Sequence, residues 1–158
     1  CPWATTGRVG GRKPNIITSL ELRSEEMEVI NLRIQKKYKE IEEKEVRFEE
    51  YLLEDAEYAI VAFGSAARIA KKSIEIARSQ GIKVGLLRPI TLWPFPTKEV
   101  QKLAGKVKGI LSLEINAGQM VEDIRLAVAG SVPVQHFGRL GGIIPDPDEV
   151  VDAIKRLF

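Results

Sequence analysis

The residues best equipped for chemistry gather in four short stretches. "LEINAGQM" places Glu114, Asn116 and Gln119 together, where a carboxylate ending an apolar run could act as a general base or ligate a cation. The competing reading makes Glu114 and Gln119 acceptors for the backbone donors of a turn and a helix start, with Asn116 in a left-handed conformation. "RPITLWPFP" sets Arg88, Thr91, Trp93 and Phe95 among three prolines. "HFGRLGG" surrounds Arg139 with glycines, so its guanidinium could clamp a phosphate or carboxylate, or face solvent or another subunit. "AFGSAARIA" puts Gly64 and Ser65 between an apolar run and a helix-forming segment, where a nucleotide site must be considered.

That last stretch fails the dinucleotide test. The fingerprint needs three glycines spaced so that backbone and helix can approach a pyrophosphate, followed by an acidic residue after the next strand. Here Gly64 is followed by Ser65, Ala66 and Ala67, and Arg88-Pro89 stands where the acid should be. Gly64 is then expected to form a tight turn and Ser65 to cap the helix. No phosphate-binding P-loop pattern exists. Ser112 lies inside a strand-like run without the glycines of a nucleophile elbow, and His136 is expected to be packed within another. No Ser/His/Asp set or paired acids emerge, and no catalytic residue is assigned.

The elements that would position these stretches follow from hydrophobic periodicity. "RFEEYLLE" reads as a short edge strand and "YAIVAF" as a strand buried on both faces. Ser65 to Gln80 reads as a helix stopped by Gly81, and "IKVGLL" as the next strand. A helix from Thr97, taken as its N-cap, precedes "GILSLE"; a helix from Gly118 to Ala129 precedes "VPVQHF". Asp146 and Pro147 open the last helix. Strand–helix units in series predict an α/β fold, a mostly parallel sheet covered on both faces, with function in the loops at the strands' carboxyl ends. The four stretches are those loops. Pro89, Pro94 and Pro96 are expected to hold theirs in an extended path, from which Arg88 could reach Glu114.

Before this domain, residues 1–45 read as a loose arm and a charged helix. Ser24 is the expected N-cap, and Met27, Ile30, Ile34, Tyr38 and Ile41 form one narrow apolar stripe. The α/β domain then occupies residues 46–158.

Composition bounds the function classes. The chain has 158 residues and a net charge of +2, which calls for neither a nucleic acid nor an anionic membrane as partner. No apolar run approaches membrane-spanning length and no signal-peptide core is seen, so a cytoplasmic location is expected. A single cysteine, Cys1, cannot form an internal disulfide or hold an iron–sulfur cluster, and one histidine cannot build a histidine-rich zinc site. A chain opening on Cys1-Pro2-Trp3 without Met is expected to be a processed or truncated piece.

Taken together, "IVAFGSAARIA", "GIKVGLLRPITLWPFP", "LEINAGQMVEDIRLAVAG" and "FGRLGG" resemble the C-terminal part of the alpha subunit of 2-oxoacid:ferredoxin oxidoreductases, in the 2-oxoglutarate and 2-oxoisovalerate group. The resemblance covers about Phe48 to Phe158. It implies a transketolase C-terminal-like domain with a five-stranded, mostly parallel, three-layer α/β/α sheet in which "RFEEYLLE" is the one antiparallel strand. It also implies a whole enzyme that oxidatively decarboxylates a 2-oxoacid with coenzyme A, using thiamine diphosphate, Mg²⁺ and iron–sulfur clusters and passing electrons to ferredoxin. In that family the thiamine site is shared between an N-terminal alpha domain and a beta subunit, with gamma and delta subunits in some members. This chain would then bind no cofactor alone and would serve assembly in a homo- or hetero-oligomer. Two alternatives stay open: a free-standing module binding an anionic ligand such as CoA through Arg88, Arg139 and the glycine loops, or a dimerisation domain without catalysis.

Overall fold

The computed structural model of the protein describes residues 7–14 and 16–157. Cys1 and the rest of 1–6, part of the expected loose arm, lie outside the described residues. The chain divides into two compact units, Cys1–Tyr38 and Lys39–Phe158.

In the first unit, Val9–Gly11 forms a short 3-10 turn. Helix α1 runs Ser24–Lys44, its residues from Lys39 onward belonging to the second unit, with Glu25 and Glu26 in its first turn where the helix dipole favours acids. Ser24 is already helical rather than the cap, and the Met27 N–H donates to the Arg23 carbonyl. Met27, Ile30, Ile34 and Ile41 of the expected stripe are half-buried, whereas Tyr38 is exposed.

The second unit is a five-stranded sheet between two helical layers. In chain order it comprises β1 (Phe48–Tyr51), β2 (Tyr58–Ala62), α2 (Gly64–Ser79), β3 (Val84–Pro89), α3 (Thr97–Ala104), β4 (Gly109–Glu114), α4 (Met120–Val128), β5 (Val134–Gly138) and α5 (Pro147–Lys155). The strand order is β1-β3-β2-β4-β5; β1 is antiparallel to β3 and the other pairings are parallel. Strand periodicity sorts the core. Ile60, Ala62, Leu111 and Leu113 face α2 and α5, while Ala59, Val61 and Ile110 face α3 and α4. The same alternation sends Ser112 and Glu114 to the α4 side. Small residues on α2 (Ala66, Ala67, Ala70, Ala77) lie against the sheet.

Several local expectations are corrected. β3 extends through Arg88 and Pro89, because β1 pairs Glu49 with Arg88 and Phe48 with Pro89. Pro89 fits there because the pairing with β2 ends at Leu87. The loop after β3 is bent rather than extended, with a cis Trp93–Pro94 peptide. Thr97 is the first residue of α3, Pro96 holds the cap position, and no side chain caps this end. Helix α4 starts at Met120, not Gly118. The last helix starts as read, with Asp146 and Glu149 forming a reciprocal capping box around Pro147. Gly81 ends α2 with φ +81°, a conformation that glycine adopts without a Cβ clash. Among the described residues no helix is long and apolar enough to cross a membrane.

Candidate functional site

In an open sheet of this kind, ligands bind where the chain reverses its direction of travel along the sheet. Here β2 is followed by β3 on one side and by β4 on the other, so the reversal lies between the carboxyl ends of β2 and β4. Gly64 turns the chain off β2 with φ +55°, and Phe63 takes the cap position of α2. Ser65 does not cap the helix: its side chain makes no capping bond and the residue is exposed.

Opposite stands Glu114, fully buried at the end of β4. Its Oε1 accepts from the Ser112 hydroxyl (2.8 Å) and the Val121 N–H (3.0 Å); its Oε2 accepts from the N–H groups of Gln119 (3.1 Å) and Met120 (2.9 Å). Three of these donors are the N–H groups that a helix leaves unpaired at its start. The carboxylate thus does for α4 what a cap side chain does elsewhere, and Gln119 in the cap position contributes none. Burial, the largest influence, pushes the Glu114 carboxyl up, but the N–H donors and the Ser112 hydroxyl outweigh it and hold the group below its ordinary value.

The turn between is fixed by Asn116, whose Oδ1 accepts from the Gly118 N–H at 2.7 Å. The left-handed position falls on Gly118 (φ +107°) and not on Asn116, since the side-chain bond of Asn116 closes the turn from ordinary backbone geometry. His136 lies across from Ser112 in the β4–β5 register. Its Nε2 is buried without a hydrogen-bond partner, 3.9 Å from Glu114 Oε1. Gly138 must be glycine: a Cβ there would overlap the Asn116 carbonyl oxygen and crowd the His136 ring.

Arg88 does not reach Glu114. Two strand spacings separate β3 from β4, and the antiparallel register offers a nearer carboxylate. Glu49 Oε2 accepts from Arg88 Nη1 at 2.9 Å, and its Oε1 accepts from Lys71 Nζ at 2.6 Å. Lys71 also sits 5.3 Å from the centre of the Tyr51 ring. The hydrogen bond from Lys71, followed by that from Arg88, lowers the Glu49 pKa. Arg139 lies 3.5 Å from Glu149, the capping acid of α5.

Thr91 ties its loop to the start of β1. Its Oγ1 accepts from the Arg47 N–H at 3.0 Å and donates to the Pro94 carbonyl at 3.0 Å. Trp93, 55% exposed, and Phe95 line an open cavity of about 720 Å³ with Phe48, Val46 and Lys98. This cavity lies at the β3–α3 loop, away from the sheet's reversal point. The structure therefore brings Glu114, Asn116 and Gln119 together, and places Arg88, the Thr91–Phe95 loop and Arg139 at separate points. Sequence reading missed Glu49 and Lys71, which required the β1 register. It set Ser112 aside, although its two-residue spacing from Glu114 put both on one strand face. Among the described residues no group of three or more His, Cys, Asp or Glu side chains is placed to hold a metal ion.

Comparison with known proteins adds a family. Residues 56–150 match the model described as pyruvate:ferredoxin oxidoreductase core domain II. The ketoisovalerate oxidoreductase subunit VorB of Methanothermobacter thermautotrophicus is 44% identical over 155 residues, covering 98% of this chain. The chain spans 44% of that relative's length. A 2-oxoglutarate:ferredoxin oxidoreductase from Magnetococcus marinus, solved with 2-oxoglutarate, coenzyme A and succinyl-CoA bound, superposes with a TM-score of 0.75 at 21% identity, over 98% of this chain and 28% of that one. A split-gene transketolase, solved as an inactive beta4 tetramer, has a TM-score of 0.59 at 15% identity, over 69% of this chain and 41% of that one. Both structures have the same α/β fold.

Proposed function

The chain belongs to the family of pyruvate:ferredoxin oxidoreductase core domain II, and we propose that it is the C-terminal, largely structural domain of a 2-oxoacid:ferredoxin oxidoreductase alpha subunit. In this proposal residues 1–45 are an arm and helix, and 46–158 the α/β domain that holds other parts of the enzyme in place. The whole enzyme would convert 2-oxoglutarate or a branched-chain 2-oxoacid, with coenzyme A, to acyl-CoA and CO₂ in the cytoplasm, passing electrons to ferredoxin. Its partners would be the beta subunit and, where present, gamma and delta subunits.

One observation carries the non-catalytic role. At the point where such sheets bind ligands, the buried carboxylate is already saturated by four donors from its own chain. A carboxylate offers about four acceptor sites, so Glu114 has none left for a proton in flight or a cation. The cofactors of the reaction do not fit this chain's residues either. Iron–sulfur clusters are held by cysteine thiolates, and the chain has one cysteine. Mg²⁺ on a diphosphate needs open oxygen ligands, which Glu114 does not offer. In this proposal thiamine diphosphate, Mg²⁺ and the clusters belong to other domains and subunits, as the family resemblance implies, and no step of the reaction is assigned to residues here. Arg88 and Arg139 already face carboxylates of the same chain, which weakens the reading of a free anion clamp.

The test is an assay of viologen reduction with coenzyme A and 2-oxoglutarate, 2-oxoisovalerate or pyruvate. The chain alone should give no turnover, and the complete set of subunits should reduce the dye with at least one oxoacid in a CoA-dependent way. Turnover by the chain alone would overturn the structural role; an inactive complete enzyme would overturn the reaction.

A further inference from the structure

Helix α1 carries apolar residues on two faces. Met27, Ile30 and Ile34 share one face and are half-buried; Val29 and Leu32 project from the opposite side, 66% and 64% exposed. Continuing from Val29 and Leu32 at helical spacing reaches Glu25 in one direction and Lys36 in the other. The exposed seam therefore reads Glu25, Val29, Leu32, Lys36, with the four-three-four steps of paired helices. Glu26 and Arg33 flank it on one side. Among the described residues Glu25, Arg33 and Lys36 make no salt bridge within the chain, and Glu26 contacts exposed Arg23.

The charges on this seam are ordered along the helix, acidic near its start and basic toward its middle. Parallel pairing of two such helices would oppose like charges. Antiparallel pairing about a two-fold axis between Ile30 and Asn31 sets Glu25 against Lys36 of the second copy, Val29 against Leu32, and Glu26 beside Arg33. The symmetry repeats each contact, so four ion pairs surround an apolar centre, and the two helix dipoles run opposite ways. A slip of one heptad in one direction opposes Glu25 to Glu43 and Glu26 to Glu40. A slip in the other direction opposes Glu26 to its own copy. The charge pattern thus selects one orientation and one register. We propose that α1 is a self-association element that pairs two copies of this chain antiparallel through Glu25, Val29, Leu32 and Lys36, with Glu26 and Arg33 alongside.

Two apolar residues per copy and solvent-exposed ion pairs make this a weak contact, with a dissociation constant on the order of 0.1 mM. Sedimentation velocity on the 158-residue chain should show reversible dimerisation, weakened by added salt. E25K/E26K and R33E/K36E should each weaken self-association by about tenfold or more, through like-charge repulsion. An equimolar mixture of the two variants should restore a one-to-one dimer, because every opposed pair becomes complementary. The quadruple variant E25K/E26K/R33E/K36E should dimerise with itself for the same reason, and it tests the register even if one double variant misfolds. A monomeric wild type up to millimolar concentration would overturn the proposal. So would a dimer that both double variants leave intact, or failure of both the mixture and the quadruple variant to associate.

Discussion

Glu114 and Glu49 are both strand glutamates near carboxyl-end loops, and folding lowers the pKa of both. They are held by different physics. Glu114 is fully buried on a central strand and satisfied by three backbone N–H groups and one hydroxyl; no cation bonds to it. Glu49 sits on the edge strand, about a third exposed, and is satisfied by the side chains of Lys71 and Arg88. The first fixes where a helix starts and cannot be replaced by solvent. The second clips an antiparallel edge strand to the parallel sheet, and water can take over much of its work. Helix positions behind the sheet's reversal point thus depend on a buried carboxylate, while the edge depends on screened charge.

Glu114→Gln should break the comparison most strongly. The amide nitrogen would confront N–H groups that now donate to an oxygen, leaving buried donors unpaired, and a loss of about 3 kcal/mol is expected. Chemical denaturation at neutral pH measures it. The pH dependence follows from the lowered pKa. The ionised carboxylate favours the folded state, so its contribution is present above the unfolded-chain value of about 4.3 and is lost as pH falls through the lower folded value. The stability gap between wild type and Glu114→Gln should therefore be widest near neutrality and shrink below about pH 4. A gap that is flat with pH would mean that the charge of Glu114 contributes nothing.

Gly138→Ala probes the same knot without touching its charge. The new methyl would overlap the Asn116 carbonyl and push on His136, for an expected loss of about 2 kcal/mol. Amide exchange should speed up at Gln119, Met120 and Val121 in this variant, because the turn that aims them at Glu114 must shift. Unchanged exchange at those three would separate the turn from the carboxylate.

Much of this was legible in the sequence because period and punctuation are local. The continuous apolar runs of β2 and β4, the Gly81 stop and the Asp146-Pro147 start each announce themselves within a few residues. The two-residue step from Ser112 to Glu114 also placed both on one face, once the strand was recognised. The partner of Arg88 was not legible. Choosing Glu49 over Glu114 needed the register of an antiparallel strand nearly forty residues upstream, and an imperfect alternation such as "RFEEYLLE" does not fix a register. Two caps failed for a related reason: Ser65 and Thr97 are good capping types, but the backbone bends one or two residues earlier than their spacing suggests. At α4 the reading of Glu114 as acceptor for the helix-start donors holds, and that of Gln119 does not.

The smallest expected effect tests the other arm of the comparison. A double-mutant cycle of Glu49→Gln and Arg88→Gln should give a coupling of about 0.5 kcal/mol, because both side chains remain more than a third exposed and water screens their attraction. Glu49→Gln also loosens Lys71, so its single-mutant loss should exceed that of Arg88→Gln. Raising ionic strength should reduce the Glu49–Arg88 coupling, whereas the Glu114→Gln loss should hardly change, since no mobile ion reaches a carboxylate buried against backbone amides. If salt weakens both to the same extent, Glu114 is more open to solvent than its four short hydrogen bonds imply, and the distinction between a backbone-held and a cation-held carboxylate fails.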